Sequence, residues 1–220
     1  MYHFFKRVID LVIAGVAFLI FLPFLLPVVI ALRLTGEGYV WYFQDRIGFK
    51  NKVFQIWKFA TMLKNSPNIG TGSITLRNDA RVTPVGKYLR GSKVNELPQV
   101  INVLMGNMSI VGPRPQMRVD YECYPQHVQA HIYDAKPGIT GIGSIIFRDE
   151  EKFLSEPGID PRAYYRDVIM PYKGEVELWY QQHASIWLDI QLIFLTAWCI
   201  VSPETDLPNR MFKDLPKFNP

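Results

Sequence analysis

Residues 92–115, SKVNELPQVINVLMGNMSIVGPRP, place a carboxylate, amides, glycines and an arginine around one expected helix. Asn95 is suited to cap that helix, which the pattern extends from Glu96 to about Met105, with Pro98 tolerated in its first turn and Gly106 ending it. Such a start would present backbone amides to an anion. Glu96 there also has a plain structural explanation, because an acid in the first turn complements the helix dipole by roughly 0.3 to 1 kcal/mol. Arg77, Arg81, Lys87, Arg90 and Lys93 precede the stretch with only Asp79 intervening, and Gly112-Pro113-Arg114-Pro115 ends it. Pro113 and Pro115 would hold the Arg114 guanidinium in one pose, useful for bidentate contact with a phosphate. The basic cluster reads equally as a solvated face or as a contact for acidic headgroups.

Upstream, residues 11–32 carry no charge, enough chain to cross about 30 Å of hydrocarbon as a helix. No small-residue cleavage site follows, so the segment is expected to be retained as an anchor. Lys6 and Arg7 stand before it and Arg33 after it, which draws both ends toward the cytoplasm. Pro23 and Pro27 fall in its second half, where proline kinks a helix. A re-entrant hairpin, bent near Pro23, reconciles these features, with a plain spanning helix as the alternative. Asp10 would pair with Lys6 or Arg7 or cap the helix start.

The expected division is an anchor over 1–36 and a globular domain over 37–220. Tyr39–Gln44 and Lys52–Phe59 flank Gly48-Phe49-Lys50-Asn51 and predict a short antiparallel pair with Lys58 near a strand end. Residues 65–72 read as a loop. Thr83-Pro84 and Asp160-Pro161 are helix starts, with Gly91 a stop for the first. Residues 137–143 predict a turn, and 144–147 a short strand. Ile186–Val201 is an apolar helix too short to span, either in the core or lying in the membrane interface with Trp187 and Trp198. The fold class is therefore α+β: a membrane helix hairpin, then a small, mainly helical domain with a short antiparallel sheet and amphipathic interfacial helices.

A net charge of +4 and a pI near 9.0 favour anionic partners. No nucleic-acid recognition module is evident, so nucleic acid is not the expected one. Cys123 and Cys199 lie far apart and are expected as free thiols in a reducing compartment.

Read in order, Lys6-Arg7 with Asp10, Gln44-Asp45-Arg46-Ile47-Gly48, Trp57-Lys58-Phe59 with Thr61-Met62, Asn95-Glu96-Leu97-Pro98-Gln99, Asn102-Val103-Leu104, Gly112-Pro113-Arg114-Pro115 and Lys136-Pro137-Gly138-Ile139-Thr140-Gly141 cover nearly the whole chain. Together they closely resemble the monotopic polyprenol-phosphate phosphoglycosyl transferases among the bacterial sugar transferases. The resemblance implies transfer of a sugar 1-phosphate from a UDP-sugar to polyprenyl phosphate, usually undecaprenyl phosphate, with release of UMP, as the first step of surface glycan assembly. It implies a catalytic domain on the cytoplasmic face of the bacterial inner membrane, in contact with phospholipid. A small, basic, anchored domain of this kind is also compatible with a homodimer.

In that family an Asp-Glu pair does the chemistry, the aspartate as nucleophile and the glutamate as a ligand of Mg2+. The metal role carries to Glu96, the guanidinium role to Arg114, supporting basic roles to Lys58 and Arg90, and an acidic position to Asp167. The nucleophile does not carry over. Asn95 stands in its place, and a neutral carboxamide is a poor nucleophile toward phosphorus. Four routes follow: attack by Glu96; attack by a carboxylate from Asp149, Glu150 or Glu151, in a run that departs from the family pattern; direct displacement by the lipid phosphate; or a silent membrane scaffold that binds nucleotide sugar or pathway enzymes without turnover, Asn95 then being an inactivating replacement of aspartate. The compensating acidic run ranks first.

Overall fold

The computed structural model describes residues 1–35, 37–69, 79–155, 158–202, 205 and 207–218, with the backbone alone at 67, 151, 153 and 209. Arg77 and residues 70–72 of the expected loop lie outside the described residues.

The chain opens with α1 (Tyr2–Leu34), a helix of 33 residues, or about 50 Å at 1.5 Å per residue. Its most apolar window has a mean hydropathy of 2.8 and is only 6% buried, so the domain fully encloses little of this hydrocarbon. The helix is long and apolar enough to cross a membrane. The expected hairpin is not shown, because α1 runs as one element through Pro23 and Pro27. The domain nevertheless touches both of its ends. Near the start, Lys6 Nζ lies 2.8 Å from Asp189. Near the other end, Leu32 packs with Phe59 and Leu89. Between them Asp10, 4% exposed, accepts hydrogen bonds from Ser109 Oγ at 2.8 Å and from the Ile110 amide at 2.9 Å. Asp10 thus pins the helix to the domain instead of pairing with Lys6 or Arg7.

Strands β1 (Trp41–Ile47) and β2 (Val53–Phe59) form the expected antiparallel pair, with Tyr42 opposite Lys58 and Ile47 opposite Val53. The turn between them carries Lys50 and Asn51 in left-handed backbone, φ 56 and 57. Trp41, Phe43, Trp57 and Phe59 share one face, with Trp41 stacked on Phe59 at 5.1 Å and Phe43 edge-on to Trp57 at 4.8 Å. The fully buried Asn102 serves the β2 backbone, donating to the Gln55 carbonyl at 2.7 Å and accepting from the Trp57 amide at 2.9 Å.

Helix α2 (Pro84–Gly91) starts as expected, Thr83 Oγ1 accepting from the Gly86 amide at 3.0 Å. The next helix departs from expectation. Val94–Glu96 form a 3-10 turn, and α3 (Gln99–Met105) begins three residues later, ending at the left-handed Gly106 (φ 86). Asn95 therefore caps nothing, and the Glu96 and Leu97 amides are spent on the Lys93 and Val94 carbonyls. The free helix terminus that would have met an anion is absent here.

A second, parallel pair joins β3 (Ser109–Val111) to β4 (Gly138–Thr140), with α4 (Arg118–Tyr121) and α5 (Gln126–His131) between them. Residues 138–140 are thus strand where a turn was expected, and the strand expected at 144–147 is instead α6 (Ile142–Ile146). Ile142 and Ile145 are its buried residues, at helical spacing. After α7 (Glu150–Leu154) and α8 (Pro161–Tyr164), a π-helical turn over Tyr165–Ile169 leads into α9 (Met170–His183). The Asp160 side chain caps α8 as its sequence suggests.

Helix α10 (Ile186–Val201) has two faces. Leu188, Leu192, Leu195 and Cys199 enter the core, whereas Trp187, Ile190, Phe194, Trp198 and Ile200 are exposed. It is thus a core helix on one side, with an apolar face left exposed on the other. The chain closes with α11 (Leu207–Met211), after which Phe212 packs on Trp179 and Phe218 on Phe147 and Tyr172. Cys123 and Cys199 are free thiols.

Candidate active site

Glu96 is the centre of the site. Lys58 Nζ lies 3.1 Å and Arg114 Nη2 3.2 Å from its Oε1, so two cations from separate elements converge on one oxygen. Burial pushes the Glu96 carboxyl up, but the fields of Lys58, Arg114 and Lys93 outweigh it and hold the group well below the usual carboxylate range. Lys58 is shifted down to about 8, by burial first and by Arg114 and Arg46, against the pull of Glu96. Around the single carboxylate the cations are in excess, which suits the site to an anion with several charges.

Each cation has a local reason for its place. Lys58 comes in on β2 opposite Tyr42. Arg46, on β1, bonds Gln44 Oε1 through Nε and Nη2 at 3.0 and 2.5 Å, and the Pro115 carbonyl through Nη1 at 3.2 Å. This is the work of Gln44-Asp45-Arg46: it ties the hairpin to the loop that bears Arg114. That loop is bonded on all sides. Tyr133 Oη donates to the Arg114 carbonyl at 2.9 Å and accepts from the Gln116 amide at 2.9 Å, and the Gly138 amide donates to the Pro113 carbonyl at 3.0 Å. A Cβ on Gly112 would lie 2.2 Å from the Lys136 carbonyl oxygen, so only glycine lets the two segments approach. Pro113 and Pro115 are buried between them.

Behind the loop stands Glu177, which the sequence reading missed. It is 1% exposed, and its Oε1 accepts the Arg114 amide at 3.4 Å. Burial raises its carboxyl to about 7, with the Arg114 amide and Lys173 opposing. Gly141 and Gly143 pack against it, a Cβ on Gly143 falling 2.4 Å from Oε1. The signal was present in Lys173 and Glu177, four residues apart on one helix just before Trp179-Tyr180.

The other candidates separate into two groups. Glu150 reaches this region: its Oε2 lies 2.5 Å from the buried Lys173 Nζ, and its charge acts on both Arg114 and Tyr165. Asp149 is exposed at the entry to α7. Asp167 lies on the outer side of the π-helical turn, its two oxygens 2.6 and 2.7 Å from Arg166. Arg90 is half-buried in the last turn of α2, and Lys93 is the third cation whose field reaches Glu96. Arg81 is structural, its guanidinium held by Asp79 and by the Ser66 and Ile69 carbonyls. Asn95 is buried at 6% exposure, and its Oδ1 has no hydrogen-bond partner.

Among the described residues no three His, Cys, Asp or Glu side chains cluster as a metal cage. The site still fits an ion shared with a substrate. Magnesium is commonly held by one or two carboxylates together with substrate phosphates. Both cation contacts on Glu96 go to Oε1, which leaves Oε2 for such an ion.

The bacterial sugar transferase family matches residues 1–203. A UDP-glucose:undecaprenyl-phosphate glucose-1-phosphate transferase of Klebsiella pneumoniae is 36% identical over 198 residues, 88% of this chain and 39% of that protein. A UDP-N-acetylgalactosamine-undecaprenyl-phosphate N-acetylgalactosaminephosphotransferase of Aeromonas hydrophila is 32% identical over 204 residues, 92% of this chain and 45% of that protein. A glucose-1-phosphate transferase of Caulobacter vibrioides is 38% identical over 196 residues, 87% of this chain and 68% of that protein. The chain thus spans about two fifths of the length of the first two relatives. With an anion site built around Glu96 and an apolar helix along the domain, the chain belongs to the bacterial sugar transferase family.

Proposed function

We propose that the protein transfers a sugar 1-phosphate from a UDP-sugar to undecaprenyl phosphate, releasing UMP, at the cytoplasmic face of the bacterial inner membrane. The observation that carries this reading is one carboxylate fixed between Lys58 and Arg114 at 3.1 and 3.2 Å in a site with excess positive charge. Such a site grips a diphosphate and stabilises the charge that shifts onto the departing UMP. Glu96 would hold Mg2+, which supplies further neutralisation of the diphosphate. Arg114 clamps phosphate oxygens, and Lys58, cationic at neutral pH, adds a compact charge to the same group.

The contacts of α1 support the topology. A helix that crossed the bilayer would carry its ends to opposite faces, yet Lys6 and Leu32 both touch the same domain. This supports both ends lying on the domain's side of the membrane, with the apolar surface sunk between them.

We assign attack on the donor to Glu150, because Asn95 is neutral and, among the described residues, the Glu150 charge reaches Arg114. In this route a Glu150 oxygen bonds to the β-phosphorus while the bond from that phosphorus to the bridging oxygen breaks, and UMP leaves with the bridging oxygen. An oxygen of undecaprenyl phosphate then attacks the same phosphorus and frees the carboxylate. The overall test is UMP release from UDP-sugars, in which turnover depends on both undecaprenyl phosphate and Mg2+. Tight donor binding with no UMP from any UDP-sugar identifies a scaffold instead. Mass spectrometry after incubation with donor alone checks the assignment: the phosphosugar adduct is expected on Glu150, and normal turnover without any adduct refutes it in favour of direct displacement.

A further inference from the structure

Between the second half of α1 and the segment following Glu96 lies a cavity of about 280 Å3. Phe18, Leu22 and Leu25 wall one side, Leu97 and Ile101 the other, and Trp41 lines it from β1. Every side chain that bounds it is apolar. It also adjoins the cation cluster. Leu97 directly follows Glu96, and Trp41 stacks on Phe59, the residue after Lys58. A ligand that satisfies both surfaces carries a phosphate at one end and branched hydrocarbon at the other. A nucleotide sugar has no hydrocarbon to bury there, and the two chains of a phospholipid exceed the space.

We propose that this groove receives the phosphate-proximal isoprene units of the polyprenyl phosphate acceptor and places its phosphate at Lys58 and Arg114. Recognition of the lipid then ends within the first few units, and the rest of the chain stays in the bilayer as solvent-exchangeable hydrocarbon. The proposal rests on the transferase reading and adds to it where the acceptor sits and how much of it is read. Because the wall is α1 itself, the membrane helix is part of the binding site as well as the anchor. Burial of apolar surface supplies the affinity, and the branched methyl groups of a prenyl chain fit an aromatic and branched lining better than a straight acyl chain does.

The test uses the full-length protein in nanodiscs, with UMP release as the readout and acceptor and donor varied separately. Ile101→Trp and Leu22→Trp, which fill the groove, are expected to raise the KM for undecaprenyl phosphate about tenfold, equivalent to the loss of a few buried apolar groups. The KM for the UDP-sugar should stay within about twofold. Farnesyl phosphate should replace undecaprenyl phosphate with a KM within roughly threefold, since it fills the groove completely. Unchanged acceptor KM in both variants, or rejection of farnesyl phosphate, overturns the proposal. A photoreactive farnesyl phosphate should label the 18–25 and 97–101 segments of the parent protein and be displaced by undecaprenyl phosphate, but not by phosphatidylglycerol or inorganic phosphate. Equal displacement by phosphatidylglycerol also overturns it, by showing a groove for bulk lipid. This labelling needs no turnover, so it decides the groove even if no UDP-sugar yields UMP and the transferase reading itself fails.

Discussion

Glu177 offers a sharp test of how the Arg114 loop is supported. Its carboxyl is raised from the ordinary 4.5 to about 7, mainly by burial. Below the lower value both the folded and the unfolded chain hold the proton, and no penalty arises. Between the two values the folded chain keeps a proton that the unfolded chain has released, so stability falls as pH rises. Above 7 the loss is complete, and at 1.36 kcal/mol per unit the shift amounts to about 3 kcal/mol. Glu177→Gln removes the titration while retaining an oxygen that accepts the Arg114 amide. The new amide donors lack an acceptor beside the unpartnered Oε2 position, but that cost is the same at every pH. The informative quantity is therefore the change in relative stability between pH 5 and pH 8. Thermal unfolding in detergent should show the variant gaining about 2.5 kcal/mol on the parent over that range, because part of the loss already falls below pH 5, or roughly 5 to 10 °C in Tm at this chain length. A difference between variant and parent that does not move with pH would refute the buried, proton-holding role of Glu177.

Lys58 leads to a pH trend of the same sign in binding. Its folded pKa of about 8 means that the cation is lost as pH rises through that value, leaving about a tenth of it at pH 9. Affinity for a UDP-sugar, measured by calorimetry, should fall from pH 7 to 9 in the parent and stay flat in Lys58→Arg; a flat parent profile contradicts the assignment. Asp10→Ala strands the Ser109 hydroxyl and the Ile110 amide, and should cost about 2 to 5 kcal/mol of stability in denaturant titration. Gly112→Ala should abolish nucleotide-sugar binding while the far-ultraviolet helix signal persists, because the added methyl forces the Arg114 loop away from Lys136 and Gly138.

Much of the fold was legible where local rules act alone. The caps at Thr83 and Asp160, the hairpin around residues 48–51 and the bounds of α10 follow from turn chemistry and periodicity, and each stands as read. Errors arose where tertiary contacts decide. Asn95-Glu96 looks like a helix start, yet the helix begins only at Gln99 after a 3-10 turn. The apolar run at 142–147 suits a short strand or a helix, and its packing on Glu177 selects the helix. At the site, Glu96, Lys58 and Arg114 were found from their motifs, and the structure brings the three together. Asp167 was carried over from the family resemblance as an acidic position, and it faces outward onto Arg166. Glu177, buried one turn after Lys173, was not among the sequence candidates, because glutamates within a helix, like its neighbour Glu175, usually mark a solvated face.

One contact near the start of α1 has a wider consequence. The Arg7 guanidinium donates to the Val103 carbonyl at 2.7 Å and to the Leu104 carbonyl at 3.1 Å, closing the last turn of α3. That helix follows closely on the turn that holds Glu96, so the apolar rod and the carboxylate that meets Lys58 and Arg114 share a mechanical link only a few residues long. Excising the rod to obtain a water-soluble enzyme would uncap α3 and loosen the catalytic turn. Under the transferase reading proposed above, lipid around the rod would be felt at the phosphate, and bilayer thickness would bear on turnover.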